Sequence, residues 1–383
     1  MKISIMNGKD EFLFKKSTLI STGAGRDIIK QALLREKGYK QFSKYSRETE
    51  EQFQDFTKRY LLSLHKLIIS DQNPSATLRK FSEEIGSSEM VLDDSKIQDV
   101  MARISRPEIL ADRVERILNS NFVLMTFPVL NALFDGAAAF FQESISPEVR
   151  TTIIDGHIIA IDLSEPMDRI IDKDEDLDYL DDYKLMNPYI LEVARQKISV
   201  GGDVVLRSFE EGFKDARVGQ YIDLRLKARP ESITDENMMG CYKKYRAIMG
   251  TAARNMALNR KPLGEIYHLG MAKASEGVGC GNEIQDAIKN GSIKIPSWPL
   301  YYSIITGDVR KAFELTMRKS SNYLDEAKIA LDMLPDEYGF RPFLEFLFQY
   351  VNHYNQFWFN ELNKRDLYAL LQKNLTLTDL HKR

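Results

Sequence analysis

The segment FQDFTKRYLLSL, residues 53–64, decides the class of fold. Its apolar side chains recur at intervals of one, three and four residues, a spacing typical of one face of an α-helix. They are Phe53, Phe56, Tyr60, Leu61 and Leu64. Further along, Ser105-Arg106-Pro107-Glu108 and Ser146-Pro147-Glu148 combine a capping residue with a first-turn proline, which indicates two helix starts. We therefore predict a mainly helical, all-α protein.

The composition predicts a bilobal globular protein. The chain has 383 residues, more than one hydrophobic core usually organises, with 43% apolar and 28% charged residues. Its longest apolar stretch, residues 122–134, is too short for a membrane-spanning helix. Only Cys241 and Cys280 are present, which argues against a disulfide framework. The first residues contain no apolar signal segment, so we expect a cytoplasmic protein with no membrane partner.

Two β-hairpins are predicted to interrupt the helices. Asn7-Gly8 separates extended runs within residues 2–14, and Asp155-Gly156 joins TTII to HIIAI within residues 151–161. We interpret the second hairpin as the boundary between the lobes. The predicted divisions are an N-terminal arm (1–20), an N-terminal helical lobe (21–150), a hairpin and acidic connector (151–183), a C-terminal helical lobe (184–335) and an aromatic C-terminal segment (336–383).

An acidic run follows the second hairpin. Residues 165–182 contain nine acidic and two basic side chains. Alternate aspartates invite a calcium-loop interpretation, but a loop begun at Asp172 has Leu177 where glycine is required. Magnesium bound by Asp178, Asp181 and Asp182 is a weaker alternative to a solvated linker. We predict no metal site.

A basic region lies in the C-terminal lobe. Residues 240–274 contain seven basic side chains and one acidic side chain, Glu265. On a helix, Lys243, Arg246 and Arg254 would lie along one stripe, where they could contact phosphates. A solvated basic face is the simpler interpretation of such a stripe. The predicted nucleic-acid-binding residues are Lys243, Lys244, Arg246, Arg254, Arg260, Lys261 and Tyr245.

The motifs of enzymes are weak in this sequence. Residues 276–283 read as a glycine-rich loop before a helix, but their spacing matches neither nucleotide-binding fingerprint. Cys280 has His268 twelve residues upstream as a conceivable base. We assign no catalytic residue and no cofactor.

The hypothesis drawn from these parts is a self-assembling, nucleoprotein-like protein that binds single-stranded nucleic acid, with RNA favoured, in a basic groove between the lobes. Aromatic side chains crowd residues 340–371, too many for one helical face, so we predict that this segment is buried on several sides or forms homo-oligomers. The alternatives are a helical enzyme, using Cys280 with His268 or a metal on the acidic run, and a purely structural shell or interaction protein.

Overall fold

The computed structural model describes residues 37–118, 121–172 and 179–377, which form two compact units. Unit 1 contains Phe42–Arg207. Unit 2 contains residues 37–41 and 208–377. The described residues form helices and connecting turns, and no strand occurs among them. The all-α prediction is therefore confirmed for this part of the chain.

Unit 1 is built from long helices and one short 3-10 helix, Ser88–Met90. Its helices are α1 (Tyr39–Ser70), α2 (Pro74–Ile85), α3 (Asp94–Ile104), α4 (Pro107–Leu118), α5 (Asn121–Phe140), α6 (Pro147–Asp172) and α7 (Leu180–Ser199). The stripe that decided the class of fold lies on α1, where Phe56, Tyr60 and Leu64 are fully buried. The stripe thus became part of the core, as its spacing predicts.

Apart from residues 37–41, unit 2 begins within α8 and contains the remaining helices. They are α8 (Asp203–Ala228), α9 (Asp235–Cys241), α10 (Lys243–Met256), α11 (Leu263–Asn290), α12 (Trp298–Thr306), α13 (Val309–Asp332), α14 (Arg341–Arg365) and α15 (Tyr368–Leu377), with a 3-10 helix at Pro230–Ser232. Helix α11 lies at the centre of this unit, because α10, α13 and α14 all pack against it.

The predicted hairpin at residues 151–161 is wrong, because α6 runs through it. Gly156 is required there for close packing and not for a turn: a Cβ at this position would lie 2.8 Å from Cγ1 of Ile198 on α7. Asp155 is buried and accepts a hydrogen bond of 2.8 Å from Nε of Arg59. This Asp-Gly pair has the sequence of a turn, but it lies inside α6 and makes tertiary contacts there. The predicted hairpin at residues 2–14 lies outside the described residues.

The aromatic C-terminal segment is buried inside unit 2. On α14, Phe343, Phe346 and Trp358 are almost completely shielded from solvent. Trp358 belongs to a core cluster that also contains Phe313 from α13 and Leu371 from α15. The rings are therefore covered by the unit itself, and their number does not require a partner molecule. No helix of the described residues is long and apolar enough to span a membrane.

Candidate functional site

The predicted glycine-rich loop at residues 276–283 is an internal part of α11, which continues without interruption from Leu263 to Asn290. Its glycines allow α14 to approach. A Cβ at Gly281 would lie only 1.9 Å from Oδ1 of Asn355, whose Nδ2 donates to the carbonyl of Gly277 at 2.8 Å. The loop prediction is wrong because the need for small residues comes from this helix contact.

Helix α11 carries a buried polar face. Lys273, Glu276, Cys280 and Glu283 follow one another at spacings of three, four and three residues, so they lie on one side of the helix. All four are buried, and none is more than 8% exposed. Charged side chains are rarely buried this completely unless they are paired, so their partners define what the face can do.

The first half of this face is an ion-pair cluster. Nζ of Lys273 lies 3.0 Å from Oε2 of Glu276 and 2.7 Å from Oε2 of Glu326 on α13. Burial alone would lower the pKa of Lys273, but its hydrogen bonds to the two carboxylates outweigh this effect and raise it. Burial raises the pKa of Glu276 despite the neighbouring ammonium group. Lys273 therefore stays charged and ties α11 to α13.

The second half of the face surrounds Glu283. The backbone N–H of Trp298 donates to Oε2 of Glu283 at 3.0 Å. The Tyr242 hydroxyl lies 3.8 Å from Sγ of Cys280. Burial raises the pKa of Glu283 to about 8, although the Trp298 N–H and the neighbouring Tyr242 hydroxyl favour the charged form. Glu283 can thus hold a proton near neutral pH, as a general acid or base requires.

A small cavity adjoins Glu283. Its volume is about 20 Å³, and its wall includes polar groups of Asn282, Asp286 and Lys294 as well as Tyr242 and Glu283. A cavity of this size with several polar partners accommodates one water molecule. It is too small for a substrate.

Several basic side chains predicted to bind nucleic acid lie on or near α10, but some of their charge is used internally. Nζ of Lys244 lies 3.3 Å from Oδ1 of the buried Asp223. Nη2 of Arg254 lies 3.0 Å from Oε2 of Glu265. These two cations are already neutralised by carboxylates of their own unit.

The remaining residues of that prediction differ in exposure. Lys243, Arg246 and Lys261 are exposed and form no ion pair with any described residue. Arg260 is half-buried. Tyr245 is also half-buried and packs on Tyr242, with ring centroids 5.2 Å apart. The exposed cations alone are therefore available to an external anion.

The structure argues against the nucleophile–base pair of the enzymatic alternative, and it places one carboxylate of the acidic run in ion pairs. Cys280 and His268 lie twelve residues apart on one continuous helix, about 18 Å along its axis, so they cannot form a nucleophile–base pair. Burial holds the pKa of the Cys280 thiol well above its ordinary value. In unit 1, Asp182 is bonded to Nη2 of Arg103 at 2.6 Å and to Nε of Arg113 at 2.8 Å, so its oxygens are occupied.

Metal-ligating side chains are likewise not brought together in the part of the chain that the structure describes. Within residues 37–118, 121–172 and 179–377, no group of three or more His, Cys, Asp or Glu side chains is arranged to hold a metal ion. Asp181 pairs with Lys96 at 3.4 Å, and Asp178 lies outside the described residues.

No protein-family model and no curated protein matches the sequence. Comparison with solved structures identifies the fold as that of the prenyl diphosphate synthases. The chain is similar to a geranylgeranyl pyrophosphate synthetase from the archaeon Geoglobus acetivorans, with a TM-score of 0.55 and 14% identity over 73% of this chain and 99% of that chain. It is also similar to heptaprenyl diphosphate synthase from Staphylococcus aureus (TM-score 0.50, 13% identity, 69% of this chain and 98% of that chain). A polyprenyl synthetase from Streptomyces coelicolor A3(2) gives a TM-score of 0.50 and 14% identity over 58% of this chain and 83% of that chain. At these identities the likeness shows the fold alone.

The prediction of an RNA-binding, self-assembling nucleoprotein is therefore wrong, and so is the predicted nucleic-acid partner. The fold is that of prenyl synthases and not of a nucleoprotein or structural protein. Each part of the analogy also has another explanation: the supposed boundary hairpin is a helix, the aromatic rings are core, and part of the basic charge is paired internally.

Sequence reasoning missed Glu283 and Tyr242. Glu283 ends the stretch that the sequence predicts to be a loop, and Tyr242 directly precedes the predicted basic stripe. The repeated three- and four-residue spacing of Lys273, Glu276, Cys280 and Glu283 was available as a signal, but only a helix running through the glycines gives that spacing a meaning.

Proposed function

We propose that the protein is an enzyme of isoprenoid metabolism that binds a prenyl diphosphate. The likeness in fold to the geranylgeranyl pyrophosphate synthetase carries the proposal, because it extends over 73% of this chain and 99% of that one. The diphosphate group of such a ligand is a concentrated negative charge and needs cationic partners. The cytoplasm remains the predicted compartment.

The exposed cations of α10 are the proposed partners of the diphosphate. Lys243 and Arg246 are three residues apart, so their Cβ atoms lie about 5–6 Å from each other on one helix face. Arg246 can bind two phosphate oxygens at once, and Lys243 adds a point charge. Neither side chain lies within ion-pair distance of a carboxylate among the described residues, in contrast to Lys244 and Arg254.

Titration calorimetry with geranylgeranyl diphosphate and with inorganic diphosphate tests both parts of the proposal. We expect binding of both compounds, stronger for the one with the hydrocarbon chain. Arg246→Ala should weaken both by about tenfold or more, because a lost hydrogen bond to a charged group costs about 1.5–3 kcal/mol. Lys289→Ala is the matched control, since Lys289 is an exposed lysine on α11 with no ion pair to a described residue.

The outcomes test the proposed ligand class and the proposed binding residues independently. Absence of binding by the prenyl diphosphate at millimolar concentration would refute the proposed function. Binding that is equally strong in Arg246→Ala and Lys289→Ala would keep the ligand class and reject α10 as its diphosphate site.

A further inference from the structure

His268 lies in the contact between α10 and α11 and is half-buried there. Its ring fills the space beside Gly250, where a Cβ would lie 2.9 Å from Nδ1 and 3.0 Å from Cε1 of the imidazole. Gly250 is four residues from Arg246 and four from Arg254, so these residues share one stripe of α10. The imidazole therefore packs against the basic stripe, which carries the arginine proposed to bind a diphosphate.

We propose that His268 is a further partner of the anion bound at Arg246, and that a diphosphate binds there together with a proton taken up by the imidazole. This inference rests on the proposed function, because it concerns the same site. In the free protein the imidazole is neutral, and in the complex it is a cation that adds to the charge of Arg246. Binding is consequently stronger at low pH than at high pH.

Two helices supply the charged groups around His268. Arg246 and Arg254 face it from α10, and Glu265 faces it from its own helix, one turn earlier. Helices α13 and α14 pack against the opposite side of α11, around Gly270. Two positive charges and one negative charge therefore act on the imidazole.

These surroundings keep the imidazole neutral when no anion is bound. Burial is the largest effect, and Arg254 and Arg246 add to it, so the pKa of His268 lies below its ordinary value of 6.5. The carboxylate of Glu265 opposes them, but it is itself paired with Nη2 of Arg254 at 3.0 Å. A diphosphate at Arg246 reverses the balance, because its negative charge offsets that of the arginine and favours the imidazolium form.

The hydrogen-bonding capacity of His268 is not fully used inside the protein. Nδ1 is shielded from solvent and has no hydrogen-bond partner among the described residues. A neutral imidazole has one N–H donor, whereas an imidazolium has two. We assign Nε2, the ring nitrogen farther from Gly250, as the atom that accepts a proton from solvent and then donates to a phosphate oxygen. The only bond that forms is this N–H bond, and the phosphate groups stay intact.

An NMR titration of the histidine side chains in the full chain tests the coupling. We expect the pKa of His268 to lie below 6.5 in the free protein and to rise by about one unit with saturating inorganic diphosphate. By linkage, calorimetric affinity should then increase about three- to tenfold more between pH 8 and pH 6 than it does in His268→Gln. His353→Gln is the matched control, since His353 is a half-buried histidine on α14, and it should behave like the unaltered protein. Comparison between variants cancels the protons that the diphosphate itself gains or loses.

The outcomes distinguish this inference from the proposed function. Diphosphate binding that leaves the pKa of His268 unchanged would overturn the proton coupling and keep the ligand class. Absence of binding by inorganic and prenyl diphosphate would overturn both. Arg246→Ala should abolish the response of His268 to diphosphate, and a response as large as in Lys289→Ala would show that the two residues do not share one anion. The NMR titration needs only the unaltered protein, and circular dichroism verifies that each variant is folded.

Discussion

Gly281→Ala should strongly destabilise unit 2, whereas Gly277→Ala on the same helix should not. A Cβ at Gly281 would lie 1.9 Å from Oδ1 of Asn355, so Asn355 must move. Asn355 is fully buried, and its Nδ2 donates to the Gly277 carbonyl at 2.8 Å and to Oγ of Ser320 at 2.6 Å. Displacement therefore breaks two buried hydrogen bonds.

The size of the destabilisation follows from two costs and one gain. Overpacking costs about 1–3 kcal/mol, and a buried polar group left unsatisfied costs about 1–3 kcal/mol. The better helix propensity of alanine returns about 1 kcal/mol. The expected net loss in the free energy of unfolding is about 1–5 kcal/mol. At Gly277 a Cβ meets Leu324 at an ordinary 3.5 Å, so that variant should be neutral or gain up to about 1 kcal/mol.

Urea unfolding followed by circular dichroism measures both variants. In the background of Asn355→Ala the closest obstacle is absent and only Cε1 of Tyr354, at 2.9 Å, still crowds the added Cβ, so Gly281→Ala should cost less there than in the unaltered background. Equal stability of Gly281→Ala and Gly277→Ala in the unaltered background would refute the packing argument, because the two positions differ only in what faces them.

Three further predictions concern buried polar groups. Asp182→Asn removes the charge that neutralises two arginines and should cost about 3–5 kcal/mol in urea unfolding, whereas Asp181→Asn, which breaks a half-exposed pair, should cost less than about 1 kcal/mol; equal costs would contradict the assignment. Because the pKa of Glu283 is raised from 4.5 to about 8, its proton stabilises the folded state fully below pH 4.5, and this contribution is lost as the pH rises through 8. The stability of Glu283→Gln relative to the unaltered protein should therefore increase by up to about 1.4 kcal/mol for each pH unit between 5 and 8, and unfolding curves with a constant difference would exclude this titration. Cys241 and Cys280 are buried with raised pKa values, so a thiol reagent at pH 8 should label neither until urea unfolds the chain; rapid labelling of the folded protein would contradict their burial.

Periodicity identified the helix over residues 53–64 correctly because burial acts on every residue of a stripe at once. Phe56, Tyr60 and Leu64 repeat the same demand for shielding from water, and the helix is the local structure that satisfies all three. The basic stripe on α10 was also found from spacing, since Lys243, Arg246 and Arg254 do lie on one helix. Spacing alone did not reveal that Arg254 is paired with Glu265.

The sequence-based predictions failed at glycines, whose roles are set by tertiary contacts and not by their sequence neighbours. Asp155-Gly156 and the Gly277–Gly281 region have the composition of turns, and each lies inside a long helix. The reason for a small residue at Gly156 is the approach of Ile198, and at Gly281 the approach of Asn355, 42 and 74 positions away in the sequence. Such contacts leave no mark in the neighbouring residues.

The sequence by itself determined the helical class of this protein, its buried stripes and the positions of its charges, because these depend on residue type and on spacing within one element. Only the tertiary structure decided which charges remain free, since Lys244 is neutralised by Asp223 of another helix while Arg246 faces solvent. It also decided that Glu283 is a buried acid, because Trp298 at the start of α12 donates its N–H to the carboxyl group and burial raises the pKa of Glu283.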